Sequence, residues 1–208
     1  LKKKEFWRYN FYVNKNVLIP RPETEIIVEE LLKKISFDSS KKLLDVGTGS
    51  GCIIISIIKD RPKCHASAID ISKKAINIAK FNAKMHHLEN KIKFINIDID
   101  KYIHSKYDFI ICNPPYINNI ELKRLDENVR LYEPHLALKA GNDGFDFIRK
   151  LIFKSKILLK KNGKLVFEIG EKQEEKSKYL LNNNGFYIDK ICKDINLSPR
   201  VIISTKTF

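Results

Sequence analysis

The sequence of 208 residues has few cysteines and no long apolar run. The four cysteines form no Cys-x-x-Cys pair, and three lie inside apolar runs, so we expect small buried side chains in a reducing compartment. These are Cys52, Cys64, Cys112 and Cys192. No apolar stretch reaches the roughly 18 residues of a spanning helix, and no apolar segment follows the basic run at 2–4. We therefore predict a cytoplasmic protein with no signal peptide and no membrane partner.

Residues typical of metal sites are also scarce. The sequence has five histidines, and the adjacent pair His86 and His87 would point about 100° apart on a helix, so the two rings cannot share an ion. No cysteine spacing is typical of zinc either. We therefore expect no metal.

Arginine is rare in a chain whose net charge is +14: it supplies 7 of the 39 basic residues, and lysine supplies 32. A basic chain favours nucleic-acid or ribosomal surroundings. Proteins that recognise phosphates and bases, however, commonly do so with the bidentate guanidinium group of arginine. With 31 isoleucines and 17 asparagines, the lysine content is also typical of an AT-rich genome. A nucleic-acid partner thus stays open and is not required.

Apolar segments alternate between strand and helix patterns along most of the chain. Strands are predicted at 43–46, 66–69, 92–97, 107–112, 165–169, 186–192 and 200–205, and helices at 22–35, 52–58, 72–87 and 148–159. Such continuously apolar strands are typical of a parallel sheet that helices cover on both faces. We predict an α/β domain over 21–208, preceded by a lead-in segment at 1–20 with a small hairpin near Tyr12–Leu18. Residues 117–144 are predicted to be rich in loops.

Polar residues end five of these segments: Asp45, Asp70, Asp98, Asn113 and Glu168. In open α/β sheets, ligands bind beyond the carboxyl ends of the strands. The five endings therefore predict one site at one edge of the sheet.

The first of these strands runs into a glycine-rich loop, Asp-Val-Gly-Thr-Gly-Ser-Gly, at 45–51. Glycines let the backbone approach a ligand closely. The dinucleotide-binding pattern Gly-x-Gly-x-x-Gly, begun at Gly47, would need a glycine at Cys52 and therefore does not match. The Gly-Lys-Ser/Thr sequence of phosphate-binding loops is also absent, and no lysine or arginine lies between Gly47 and Ile58. Asp70, at the end of the next strand, can accept both hydroxyls of a ribose. The pattern favours a nucleoside without phosphates, and the alternative is a tight turn without a ligand.

A second motif, Asn-Pro-Pro-Tyr at 113–116, follows the fourth strand. Its two prolines fix the backbone and remove two N–H donors. The side-chain oxygen of Asn113 and the carbonyl of Pro114 could then accept both hydrogens of a planar –NH2 group, with Tyr116 stacked on its face. Holding this weak nucleophile beside an electrophile would promote group transfer by positioning and electrostatics. The alternative is a rigid turn without chemistry.

Together these motifs resemble methyltransferases that use S-adenosylmethionine and act on exocyclic or amide nitrogen. The segments at 18–25, 113–116, 129–134 and 167–171 narrow the resemblance to the release factor glutamine methyltransferases, the PrmC/HemK family. The four segments occur in the same order as in the family, and the match covers nearly the whole chain. The Asn-Pro-Pro-Tyr motif is shared with other amino methyltransferases, whereas the segments at 18–25 and 129–134 are more specific.

This resemblance implies a class I S-adenosylmethionine-dependent (Rossmann-like) fold with a mostly parallel seven-stranded sheet and helices on both faces. It implies methyl transfer to the amide nitrogen (N5) of the glutamine in the Gly-Gly-Gln motif of class-1 peptide chain release factors, with S-adenosylhomocysteine as product. We expect a monomer. The family also has a helical N-terminal domain, so this chain is expected to be a fragment or to recognise its substrate less fully.

Site residues follow from the resemblance position by position. The implied cofactor-binding residues are Arg21, Thr24, Gly47, Thr48, Gly49, Ser50, Gly51, Asp70, Asp98, Ile99 and Asn113. The implied catalytic residues are Asn113, Pro114, Pro115 and Tyr116. Family members often have an aromatic residue at Ile99, so adenine stacking is expected to be weaker or to come from elsewhere. Arg130, Glu133 and Glu168 match the family without an assigned role.

Three other functions compete with this reading. A ribosomal-protein glutamine methyltransferase shares most of the motifs. A nucleic-acid amino methyltransferase, acting on adenine N6 or guanine N2, shares Asn-Pro-Pro-Tyr and suits the charge. A cofactor-binding module without catalysis would need only the glycine loop and Asp70.

Overall fold

The structure is a computed structural model that describes residues 3–103, 106–115 and 143–208. Its strands are β1 (Lys3–Phe6), β2 (Tyr9–Tyr12), β3 (Lys42–Val46), β4 (His65–Asp70), β5 (Ile92–Asn96), β6 (Tyr107–Cys112), β7 (Leu159–Glu168), β8 (Phe186–Lys193) and β9 (Pro199–Lys206). Its helices are α1 (Glu25–Lys34), α2 (Cys52–Asp60), α3 (Lys73–Met85), α4 (Asp146–Leu158) and α5 (Glu174–Asn183). Short 3-10 turns cover Pro22–Thr24 and Ile99–Lys101.

Seven strands form the main sheet in the order β5-β4-β3-β6-β7-β9-β8. Strands β3 to β7 pair in parallel, and β9 is antiparallel to both β7 and β8. The predicted mostly parallel seven-stranded sheet is therefore confirmed. The chain leaves β3 towards β4 and β5 and then returns to β6 on the other side of β3. This reversal of strand order is where open α/β sheets bind their ligands.

Helices cover both faces of the sheet, as predicted, and neighbouring residues of one strand belong to opposite faces. Leu43 packs with the apolar faces of α1 and α2, whereas Leu44 packs with those of α4 and α5. Both leucines are fully buried. The four cysteines are buried too, which confirms the prediction of small core side chains.

The lead-in hairpin lies earlier than predicted. Strands β1 and β2 pair antiparallel, whereas the prediction placed the hairpin at Tyr12–Leu18 and was wrong. Phe6 and Phe11, one on each strand, are buried in the same core as α1 and α2. Val13 and Val17 pack instead against α3. The apolar residues of 12–18 therefore pack against a helix and do not pair as strands.

Helix α5 was not predicted, because its sequence offers almost no apolar stripe: the buried residues along it are Ser177 and Leu181. Strand β7 also begins earlier than predicted, at Leu159, which pairs with Tyr107 of β6; the register then shifts, and pairing with both β6 and β9 continues from Lys164. Within the described ranges, no helix combines the length and apolar character needed to cross a bilayer.

Candidate active site

The glycine loop between β3 and α2 adopts the left-handed conformation at each of its glycines, with φ of 69° at Gly47, 55° at Gly49 and 80° at Gly51. A Cβ on Gly47 would meet no atom within 4 Å, and one on Gly49 would meet only a backbone oxygen at 3.9 Å. These two positions border open space. A Cβ on Gly51 would instead lie 2.9 Å from a methyl carbon of Ile55 and 3.2 Å from Ala79 Cβ. Gly51 therefore permits the close packing of α2 against α3.

Two carboxylates support this loop. Asp70 accepts hydrogen bonds from the N–H of Gly49 (3.0 Å) and of Ser72 (2.8 Å), which fixes it at the end of β4. Asp45 is fully buried, and its Oδ2 accepts the hydroxyl of Thr48 at 2.6 Å. Its Oδ1 has no hydrogen-bond partner among the described residues. Burial is the main cause that raises the pKa of Asp45 to about 7; the Thr48 hydrogen bond opposes this rise, and the charge of the nearby Asp70 contributes to it. Burial also raises the pKa of Asp70.

Most of the predicted site residues line one cavity of about 320 Å³ at the carboxyl ends of β3, β4 and β6. They are Arg21, Thr24, Gly47, Thr48, Gly49, Ser50, Asp70, Asp98, Ile99, Asn113 and Pro115. Gly51 and Pro114 are not among the residues that line it. Tyr116, Arg130 and Glu133 lie outside the described residues, as does most of the predicted loop-rich stretch.

Two residues of the cavity lining, Asn113 and Thr24, begin a chain of three hydrogen-bonded polar side chains from distant parts of the sequence. The side-chain nitrogen of Asn113 donates to Thr24 Oγ1 at 3.0 Å, and the Thr24 hydroxyl donates to Glu168 Oε2 at 2.6 Å. Thr24 and Glu168 are both 2% exposed. The side-chain oxygen of Asn113 is buried and has no partner among the described residues. Glu168, predicted without a role, thus lies directly behind the cavity wall.

The lining of the cavity carries both signs of charge. Lys150, from α4, lies 2.6 Å from an oxygen of Asp100 and 3.8 Å from an oxygen of Asp98. Arg21 lines the cavity from the segment before α1. The carboxylates of Asp70 and Asp98 are also in the wall, so the lining offers partners to both positively and negatively charged groups of a ligand.

Several lining residues were not predicted. Asn16, Val17 and Leu18 enter from the lead-in segment, and Phe147 and Lys150 from α4. The sequence carries little signal for them, because a helix presents only one face and that face depends on the tertiary packing. The proline-rich stretch that follows Leu18 was the one indication that the lead-in segment reaches the site.

Asn82, which sequence analysis did not single out, joins the lead-in hairpin to the glycine loop. It is fully buried on α3. Its side-chain oxygen accepts the N–H of Tyr12 at 2.8 Å, and its nitrogen donates to the carbonyls of Tyr12 (3.0 Å) and Ser50 (2.8 Å). One side chain therefore fixes the position of two segments of the site.

Comparisons with known proteins agree with this geometry. The family model described as "Methyltransferase small domain" matches residues 22–129. A release factor glutamine methyltransferase of Clostridium acetobutylicum is 40% identical over 205 residues, which cover 97% of this chain and 72% of the relative. One of Flavobacterium psychrophilum is 42% identical over 204 residues, which cover 95% of this chain and 71% of the relative.

Among solved structures, a ribosomal protein L11 methylase from Lactobacillus delbrueckii subsp. bulgaricus has a TM-score of 0.67 at 20% identity. The match covers 93% of this chain and 82% of that one. At this identity the likeness shows the fold, which is that of a class I methyltransferase. The sequence matches go further: the chain belongs to the release factor glutamine methyltransferase family.

Proposed function

We propose that this protein transfers a methyl group from S-adenosylmethionine to the side-chain amide nitrogen of the glutamine in the Gly-Gly-Gln motif of class-1 peptide chain release factors, in the cytoplasm. One observation carries the proposal: Asn113 lines the same cavity as the glycine loop, and its side-chain oxygen is buried without a partner within the described residues. A buried acceptor without a donor is costly unless a ligand supplies one. A primary amide supplies such an N–H. Family membership supports the release factor as its source.

The cavity residues fit the cofactor. Gly47 and Gly49 leave open space where a side chain would otherwise stand, so a ligand can approach the backbone closely. The carboxylate of Asp70 is held at the strand end, where it can accept ribose hydroxyls. Asp45, buried behind the loop with one unpaired oxygen, adds negative charge when ionised and suits a ligand that carries ammonium and sulfonium groups.

Gly47, Gly49 and Asp70 would hold S-adenosylmethionine, which would supply an electrophilic methyl carbon with a neutral thioether sulfur as the leaving group. The substrate amide nitrogen would exchange one of its protons, lost to water, for this methyl group. The side-chain oxygen of Asn113 accepts a hydrogen bond from one N–H of the substrate amide. The prolines that follow fix its backbone. We assign the second N–H to the carbonyl of Pro114. Two accepted hydrogen bonds increase the electron density on nitrogen and orient it, so positioning and electrostatics promote the transfer.

Incubation with labelled S-adenosylmethionine and a class-1 release factor, followed by mass spectrometry of the tryptic peptides, tests the proposal. We expect one added methyl group on the glutamine of the Gly-Gly-Gln motif. A release factor with Gln→Ala at that position is the matched control and should take up no label. Label that persists on this control would overturn the proposal.

The net charge of +14 favours a second candidate, a nucleic-acid amino methyltransferase. Several lysines of the described residues are already paired with carboxylates, among them Lys33, Lys160 and Lys190. Such pairs reduce the charge available to phosphates. Ribosomal RNA, duplex DNA and ribosomal proteins belong in the same labelling experiment. Methylated bases, together with affinity that falls steeply with salt, would favour this candidate over the release factor.

A further inference from the structure

The hydrogen-bond chain behind Asn113 has a fixed direction when Glu168 is ionised. A carboxylate has no proton to give, so the hydroxyl of Thr24 must donate to it. The hydroxyl has a single hydrogen and can therefore offer Asn113 only a lone pair. Asn113 must then turn its –NH2 group towards Thr24, and its oxygen faces the other way. The orientation of the amide thus follows from the charge of Glu168.

We propose, on the basis of the function proposed above, that Glu168 and Thr24 are positioning residues that hold the Asn113 side chain with its oxygen towards the substrate nitrogen. The reversed amide would present an N–H to the substrate N–H, and two donors cannot form a hydrogen bond. Turnover therefore requires one of the two orientations. The three side chains come from the end of β6, the turn before α1 and the end of β7, so this function depends on the folded sheet.

Burial in the sheet makes this arrangement sensitive to pH. It raises the pKa of Glu168 to about 7, although the Thr24 hydrogen bond and the positive charge of Arg200 lower it. Below that pH the protonated acid can itself donate to Thr24, which frees the hydroxyl hydrogen for Asn113 and removes the preference. The titratable groups that interact electrostatically with Glu168 are Arg200, Arg21, Glu23 and Cys112. We expect kcat to rise as the pH rises through about 7.

Kinetics of two variants test this proposal, with kcat measured at saturating cofactor and release factor. We expect Thr24→Val, which keeps the shape and removes the hydroxyl, to lower kcat by about 10-fold or more, and Thr24→Ser to restore most of it. The control Ser204→Ala removes another buried hydroxyl, which donates to the carbonyl of Leu165, and should leave kcat unchanged. If Thr24→Val instead weakens cofactor affinity and leaves the saturated kcat intact, the positioning role is overturned.

Glu168→Gln serves as the second variant if Thr24→Val does not fold. We expect it to lower kcat and to abolish the rise of kcat near pH 7. The buried Asp45 has a pKa of about 7 as well, so a rise that persists in Glu168→Gln would assign the pH dependence elsewhere and overturn the proposal.

A readout independent of activity separates this proposal from the proposed function. The side-chain ¹⁵N–¹H signals of Asn113 should shift with a midpoint near pH 7 in the wild type and stay constant in Glu168→Gln. Signals that stay constant in the wild type would overturn the positioning role even if release factor is methylated. If the Asn113 signals shift with pH in the wild type but not in Glu168→Gln, and no release factor is methylated, the positioning role is supported and the proposed function is overturned.

Discussion

The carboxyl group of Asp45 shows how one residue can be costly for folding and useful for binding. It is fully buried, one of its oxygens is unpaired within the described residues, and burial raises its pKa to about 7. A group whose folded pKa exceeds its unfolded value of 3.8 contributes stability at low pH, and that contribution disappears as the pH rises through about 7. Burial also raises the pKa of Glu168 to about 7, so its contribution to the stability likewise disappears as the pH rises through this range.

We therefore predict that Asp45→Asn stabilises the protein without ligand at pH 8, because the variant has no buried charge at this position. The contribution of Asp45 to the melting temperature of the wild type should fall between about pH 4 and pH 7, and the melting temperature of Asp45→Asn should fall less over this range, by roughly 2–4 °C for each kcal/mol recovered. Differential scanning calorimetry measures both. The control Asp38→Asn changes an exposed carboxylate and should follow the wild type. Equal pH dependence of the wild type and Asp45→Asn would contradict the argument.

The glycines of the loop differ in what they permit, and this gives a paired prediction. Gly51→Ala should destabilise the protein by about 1–3 kcal/mol, because its Cβ would press on Ile55 and Ala79 in a left-handed backbone. Gly47→Ala meets no protein atom, so it should cost about 1 kcal/mol and instead lower the affinity for S-adenosylmethionine by about 10-fold or more. Denaturant unfolding and isothermal titration separate the two effects. A Gly47→Ala variant with wild-type affinity would show that S-adenosylmethionine does not bind against the backbone at Gly47.

At the scale of the elements, the sequence predicted the strands of the main sheet and four of the five helices found among the described residues, because a buried strand is apolar throughout and most helices carry an apolar stripe. Helix α5 was missed, since only two of its residues are buried. The hairpin was placed too late in the chain, because β1 and β2 mix polar residues with Phe6 and Phe11, and only docking on α1 and α2 distinguishes them. Periodicity cannot show such docking.

The link between the hairpin and the glycine loop yields a prediction for Asn82. Asn82→Ala leaves the backbone groups of Tyr12 and Ser50 without their partner, which should cost about 2–4 kcal/mol. It should also release the hairpin to limited proteolysis and lower cofactor affinity. The control Asn184→Ala removes a hydrogen bond to Leu180 near the end of α5, and should destabilise the protein without exposing the hairpin. Cleavage of the hairpin at equal rates in both variants would argue against the link.

For the whole molecule, the reversal of strand order between β3 and β6 decides where the site lies. Asp45, Asp70 and Asn113 end strands on either side of that reversal, so their convergence could be predicted from their positions in the sequence. The pairing of Thr24 with Glu168 could not, because 144 positions separate them and only the folded sheet places one behind the other. Local motifs therefore locate the site, and the three-dimensional packing determines how its groups are oriented.

The same architecture separates cofactor binding from catalysis, because the glycine loop and the Asn-Pro-Pro turn are on different strands. We predict that S-adenosylmethionine at 100 times its Kd stabilises the protein by about 2.7 kcal/mol, which raises its melting temperature by roughly 5–10 °C for a chain of this size. Asn113→Ala should keep most of this shift and lose methyl transfer, because it removes the acceptor for the substrate amide while Asp70 and Gly49 stay in place. Thermal unfolding with and without cofactor, together with the labelling reaction, measures both. A variant that loses the shift along with turnover would identify Asn113 as a cofactor contact, and one that keeps both would remove Asn113 from the reaction.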